Sequence, residues 1–299
     1  ARGPLAQIAA LHRELSGRLL DGGAGPAPSD GDPGRPALSV PLAAFEQYVK
    51  GLVADAHAAQ EAFLSKAIEL HADFPAARIA LAQSRAAAGD ERLALAALEP
   101  VSDASPQARD ARLLAALAHI ALGDHTAAYR LLAALQARSP SAPVLNNLGV
   151  VRLRAPSLPA GAGSAVWYFD QARTLDPLDA DYLFNLGYAY WLEGDAQGAA
   201  YWLREAVRLA PTDGAAHAVL AKALHASGQT AEAVRELALA QRLSSSFEGI
   251  DLQGAWPPRP PAGFERLKDS MAPLRSRRID AAIASAGSLE RRDLASFYL

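Results

Sequence analysis

The side chains that could do chemistry are few, and their spacing excludes most reactions. His217 and His225 are eight residues apart on one helical stretch and lack the i+4 ligand that a helical metal site uses. His119 and His125 straddle a turn, so all four read as packing or surface histidines. Asp30-Gly31-Asp32-Pro33-Gly34 has the look of a calcium loop without the downstream glutamate that closes one, and reads as a solvated turn. There is no nucleophile-elbow serine, phosphate-cradling glycine loop or acid pair with a plausible pocket, so neither catalysis nor a cofactor is expected. What stands out is amide chemistry. The chain has three asparagines, Asn146, Asn147 and Asn185, and an amide side chain both donates to and accepts from a peptide backbone. Two readings stand side by side: the amides capture an extended chain without regard to its sequence, or they tie neighbouring helices together.

The elements that must position these amides are helical hairpins. In Asp181 to Pro211, apolar and aromatic residues recur at helical spacing on both sides of Glu193-Gly194-Asp195, which predicts two amphipathic helices and a tight turn. Gly187 and Ala199 allow close approach of the two helices; Leu183, Leu186, Tyr190 and Leu203 fill the space around the contact. Pro211 lacks the amide hydrogen that would continue the second helix. Turn glycines repeat the unit. Gly89 and Gly123 are 34 residues apart, as are Gly194 and Gly228, and the middle gap of 71 is two repeats plus three residues. That insertion falls between Arg154 and Ser164, in a stretch with Pro156, Pro159 and two glycines.

Placed in a 34-residue frame from Ala180, the residues Leu183, Leu186, Gly187, Tyr190, Ala199, Leu203, Ala206 and Pro211 stand where the tetratricopeptide (TPR) pattern has W, L, G, Y, A, F, A and P. The chain resembles that family over about two thirds of its length, in units starting near Ala43, Pro75, Arg109, Ala142, Ala180 and Gly214, the first being the most degenerate. The resemblance implies an all-α, right-handed TPR solenoid of about six hairpins acting by protein contact, with the first helix of each hairpin lining a concave groove. Family members that hold extended peptides often carry asparagine two residues before the motif glycine, the position of Asn147 and Asn185 here. The next repeat has Val219 there, and the ladder stops. Phe184, Tyr188 and Lys222 complete the expected groove. Lys222 lies one residue past the motif-glycine position, where its charge could meet a carboxylate. Half of the chain's aromatic residues fall between Trp167 and Trp202, the expected hot spot, although helical spacing makes most of them core.

Around the repeats, at residues 43–243, the expected organisation is an N-terminal amphipathic helix at 1–20, a glycine–proline linker at 21–42, a proline-rich strap at 244–263 and a helical segment at 264–299. WPPRPP reads as a strap over its own fold, anchored by Trp256, or as a ligand for an aromatic groove. Phe264 to Met271 reads as a short helix. Leu294, Phe297, Tyr298 and Leu299 form an uncapped apolar end, and with the degenerate first hairpin they make head-to-tail self-association into an oligomer or filament the alternative to a peptide-binding scaffold.

A net charge of −3 gives no electrostatic footprint for nucleic acid. Without cysteine there are no disulfides or thiolate metal sites, which leaves exported, cell-surface and cytoplasmic locations all open. No run reaches membrane-spanning length free of charge or histidine, and no signal peptide is visible. The start at Ala1 fits a processed chain or one with missing upstream sequence, and the opening helix and linker would suit the tail of a preceding domain, as in bacterial TPR chains.

Overall fold

A computed structural model describes residues 40–157, 163–254, 256–258 and 263–271. The expected N-terminal helix, most of the glycine–proline linker with its aspartate turn, and the self-association candidates Leu294, Phe297, Tyr298 and Leu299 lie outside them. Among the described residues there are twelve α-helices, a single 3-10 turn at Ser245–Phe247 and no strand. The helices are α1 (Leu42–Val53), α2 (His57–Leu70), α3 (Pro75–Ala87), α4 (Glu91–Leu98), α5 (Ala108–Ala121), α6 (His125–Arg138), α7 (Ala142–Arg154), α8 (Ala165–Leu175), α9 (Ala180–Glu193), α10 (Ala196–Leu209), α11 (Gly214–Ala226) and α12 (Thr230–Leu243). α1 packs on α2, α5 on α6, α7 on α8, α9 on α10 and α11 on α12, the hairpin arrangement of a TPR solenoid.

The described residues fall into two compact units, 40–77 and 78–271. In the first, α1 packs on α2 around Ala44, Ala67, Phe74 and Ala77. Gly51 is its contact point, since a Cβ there would stand 2.6 Å from Leu64 Cγ.

In the second unit each helix from α4 to α12 packs on the next. Local chemistry sets the ends of these helices. Gly89, Gly123, Gly194 and Gly228 turn the chain between the helices of four hairpins with φ of 84°, 78°, 88° and 83°, a left-handed backbone that costs glycine nothing. Asp124, Asp195 and Asp213 then accept the backbone N–H of Ala127, Gly198 and Ala216, capping α6, α10 and α11.

Small residues bring the helices together, as the sequence predicts. A Cβ at Gly187 would stand 2.7 Å from Leu203 Cγ and 3.2 Å from the Ala199 carbonyl, and one at Gly149 would stand 2.5 Å from Phe169. Phe169, Leu186 and Leu203 fill the surrounding space and are fully buried; each such side chain contributes roughly 1.5–3 kcal/mol. The first helices of successive hairpins, α7, α9 and α11, also touch one another and so form a continuous wall.

A groove filled by the chain's own extended segment

Along that wall runs the chain's own continuation. After α12 and the 3-10 turn, residues 250–254, 256–258 and 263–271 carry no helix, and their contacts move from α11 to α9 to α7, opposite to the order of the repeats.

The first grip is Lys222 on α11. Only 4% exposed, its Nζ donates to the carbonyls of Asp251, Leu252 and Gly254 at 3.1, 2.6 and 2.5 Å. Burial holds its pKa below the ordinary lysine value, opposed by the negative charge of Asp251. The direct partners are therefore backbone carbonyls, where the sequence led us to expect a carboxylate. Next, Trp256 packs against Phe247 and Phe264 with ring centroids 6.2 and 5.4 Å away, and the Tyr188 hydroxyl donates to the Pro258 carbonyl. Tyr188 is stacked on Phe184 at 5.9 Å.

The amides supply the most specific contacts. Asn185 Nδ2 donates to the Arg266 carbonyl at 2.8 Å and its Oδ1 accepts the Arg266 N–H at 2.8 Å. Two residues on, Asn147 repeats the pattern with Lys268, at 2.7 Å and 2.8 Å. Asn146 joins the two: it donates to the Arg266 carbonyl at 2.8 Å and to Asn147 Oδ1 at 3.2 Å, and accepts from Asn185 Nδ2 at 2.7 Å. The side chains that bond the chain's own extended segment also link α7 to α9, through Asn185 and Asn146.

Residues 264–271 are extended where the sequence predicts a short helix. Phe264, Leu267 and Met271 have helical spacing, but the backbone groups of Arg266 and Lys268 that an isolated helix would bond internally are taken by asparagine. Alternate residues then face opposite ways. Leu267 lines a cavity of about 450 Å³ together with Leu98, Leu114, Leu117 and Ala121.

Charge pairing accompanies the clamp, and sequence reasoning missed its residues. Arg154 holds Glu265 at 2.7 Å. Arg266 pairs with Asp181 at 2.9 Å and with Asp213, and its guanidinium lies 3.7 Å from the Phe184 ring centre. Lys268 reaches Asp179 at 2.7 Å and Asp181 at 2.5 Å, with its Nζ 4.9 Å from the Tyr182 ring centre. Burial pushes the Asp181 carboxyl up, but the Lys268 ammonium and then the Arg266 guanidinium outweigh it, leaving the pKa below the ordinary aspartate value. The available signal was the charge order Glu265, Arg266, Lys268 opposite acids at Asp179, Asp181 and Asp213.

The expected aromatic hot spot divides in two. Tyr182, Phe184 and Tyr188 are core or groove wall, whereas Trp167 and Tyr201 are exposed on the second helices of their hairpins. His217 faces Glu236 at 2.5 Å and the Pro211 carbonyl at 3.0 Å, a buried polar contact between helices. No group of three or more His, Cys, Asp or Glu placed to hold a metal occurs among the described residues, and no described helix is long and apolar enough to cross a membrane.

Comparison with known proteins agrees with this architecture. Two tetratricopeptide repeat models match the sequence, one at residues 79–143 and 162–214 and the other at 190–243. No curated protein sequence matches the chain. Among solved structures, the APC/C hetero-tetramer Cut9-Hcn1 is similar with a TM-score of 0.56 and 22% identity over 68% of this chain, which spans 40% of that one. A structure of MamA is similar at a TM-score of 0.48 and 20% identity, over 56% of this chain and 95% of that one. With the repeat models matched on helical hairpins that carry the motif residues in place, the chain belongs to the tetratricopeptide repeat family.

Proposed function

We propose that this chain is a non-enzymatic protein-interaction scaffold whose groove along α7, α9 and α11 captures an extended segment of a partner protein. The observation that carries the proposal is the paired amide clamp: Asn185 and Asn147 each take both the N–H and the C=O of one residue, two residues apart. That arrangement grips backbone, so it requires an extended conformation before any particular side chain. Residues 263–271 occupy the groove as a partner's segment would. Phe184, Tyr188 and Lys222 flank the clamp and belong to the same surface. A partner therefore binds by displacing the chain's own segment, or by taking its place when that segment is withdrawn.

The test is a binding measurement on the full chain. In the Phe264→Ala chain, whose own segment is loosened, captured partners should bind at least roughly tenfold more weakly once Asn147→Ala and Asn185→Ala are added, given two lost backbone contacts per amide. Equal affinity with and without the two asparagine substitutions would defeat the groove reading.

A further inference from the structure

The amide clamp fixes register, and register decides which side chains reach the acids. In an extended chain, residues two apart lie on the same side, separated by about 6.6 Å. Asn185 and Asn147 hold the backbones of Arg266 and Lys268, so it is those two side chains that fall beside Asp179, Asp181 and Asp213. All three carboxylates stand at the starts of α9 and α11. Asp179 accepts the Asp181 N–H and Asp213 accepts the Ala216 N–H, so helix capping orients both carboxylates before any occupant arrives. Asp179 and Lys268 are buried together, 1% and 3% exposed. Phe184 and Tyr182 add ring faces beneath the two cations. Arg154 meets Glu265, the acid just before the arginine.

From this geometry we infer that the groove selects its partner by charge: it takes an extended segment with arginine and lysine at alternate positions, Arg first, with an acidic residue just before the arginine and an aliphatic one between the cations. The segment at 265–268 is the chain's own copy of that motif. A neutral occupant would deprive the buried Asp179 of the ammonium that Lys268 supplies, and an acidic one would place like charges together, so both are disfavoured by desolvation and repulsion. The inference rests on the groove-capture reading and adds sequence selectivity to it.

A peptide titration separates the two. The full chain carrying Arg266→Gln and Lys268→Gln loosens its own segment, and a labelled peptide GFERLKDSM is titrated into it beside a second peptide with both cations changed to glutamate. The native peptide should bind roughly tenfold or more tightly than the swapped one, and Asp181→Lys in the protein should shrink or reverse that preference. Equal binding of the two peptides, within about twofold, would overturn the charge selectivity and leave the groove reading standing. Failure of both peptides to bind would overturn both. Should the glutamine variant lose its helical spectrum, the same peptides are titrated into the Phe264→Ala chain, which loosens the segment without touching either cation, with the same outcomes decisive.

Discussion

Three helices present the same face to the groove, and they grip the extended chain in different ways. On α7 and α9 the position two before the motif glycine is asparagine, and each amide closes a two-bond ring with one residue. On α11 the same position is Val219, fully buried, and the grip passes to Lys222, which donates to three carbonyls and can accept from no N–H. The difference is between reading a straight segment and holding a bend. An amide matches one residue's donor and acceptor and so fixes register and direction. An ammonium gathers carbonyls that point inward and tolerates any chain that curls around it, as residues 251–254 do.

Removing both amides gives the largest expected change. In the Asn147→Ala, Asn185→Ala variant, docking of residues 263–271 should weaken by about 2–4 kcal/mol, at roughly 1 kcal/mol for each of the four bonds. Limited proteolysis after Arg266 and Lys268 reports it directly, and unaltered resistance would mean that the amides act only between helices. Second in size is Gly187→Leu, which overpacks α9 against Leu203 and should cost about 1–3 kcal/mol; an unchanged melting temperature would contradict the packing. Lys222→Met comes next, at about 1–2 kcal/mol, because lost charge-assisted bonds are offset by removing a buried ammonium. It should free the chain near Trp256, seen as a red shift in its fluorescence, and leave the clamp on Arg266 and Lys268 in place. Loss of the clamp as well would erase the distinction between the two grips.

Acid gives the smallest effect. The Asp181 pKa is lower in the folded chain, so its contribution is fully present above the unfolded value of about 3.9 and is lost as pH falls through the folded value. Docking should therefore hold from neutral pH down to about 4 and weaken only below it, and Asp181→Asn should flatten that low-pH loss.

Much of the fold was legible in the chain. Turn glycines and motif positions placed the hairpins because close helix approach demands small residues at fixed spacing, and the chain has them at Gly149, Gly187 and Ala199. The groove asparagines were legible for the same reason, through their distance from the motif glycine. The filling of the groove was not. Phe264, Leu267 and Met271 carry a helical period, and periodicity is local, whereas the bonds that keep 264–268 extended come from side chains 81 and 121 residues away. Asp179 and Asp213 were hidden for a related reason, since an aspartate before a helix reads as a cap, and here the same carboxylates cap and also hold cations. Lys222 was placed on the groove by its register; only the path of residues 251–254 turns its partners into carbonyls.

Residue-resolved amide hydrogen exchange on the full parent chain tests the central claim most directly. The clamp predicts slow exchange at Arg266 and Lys268 and faster exchange at Leu267 between them, an alternation that collapses to uniformly fast exchange in the Asn147→Ala, Asn185→Ala variant. Fast exchange throughout 264–271 in the parent, or protection without alternation as in a helix, would contradict it.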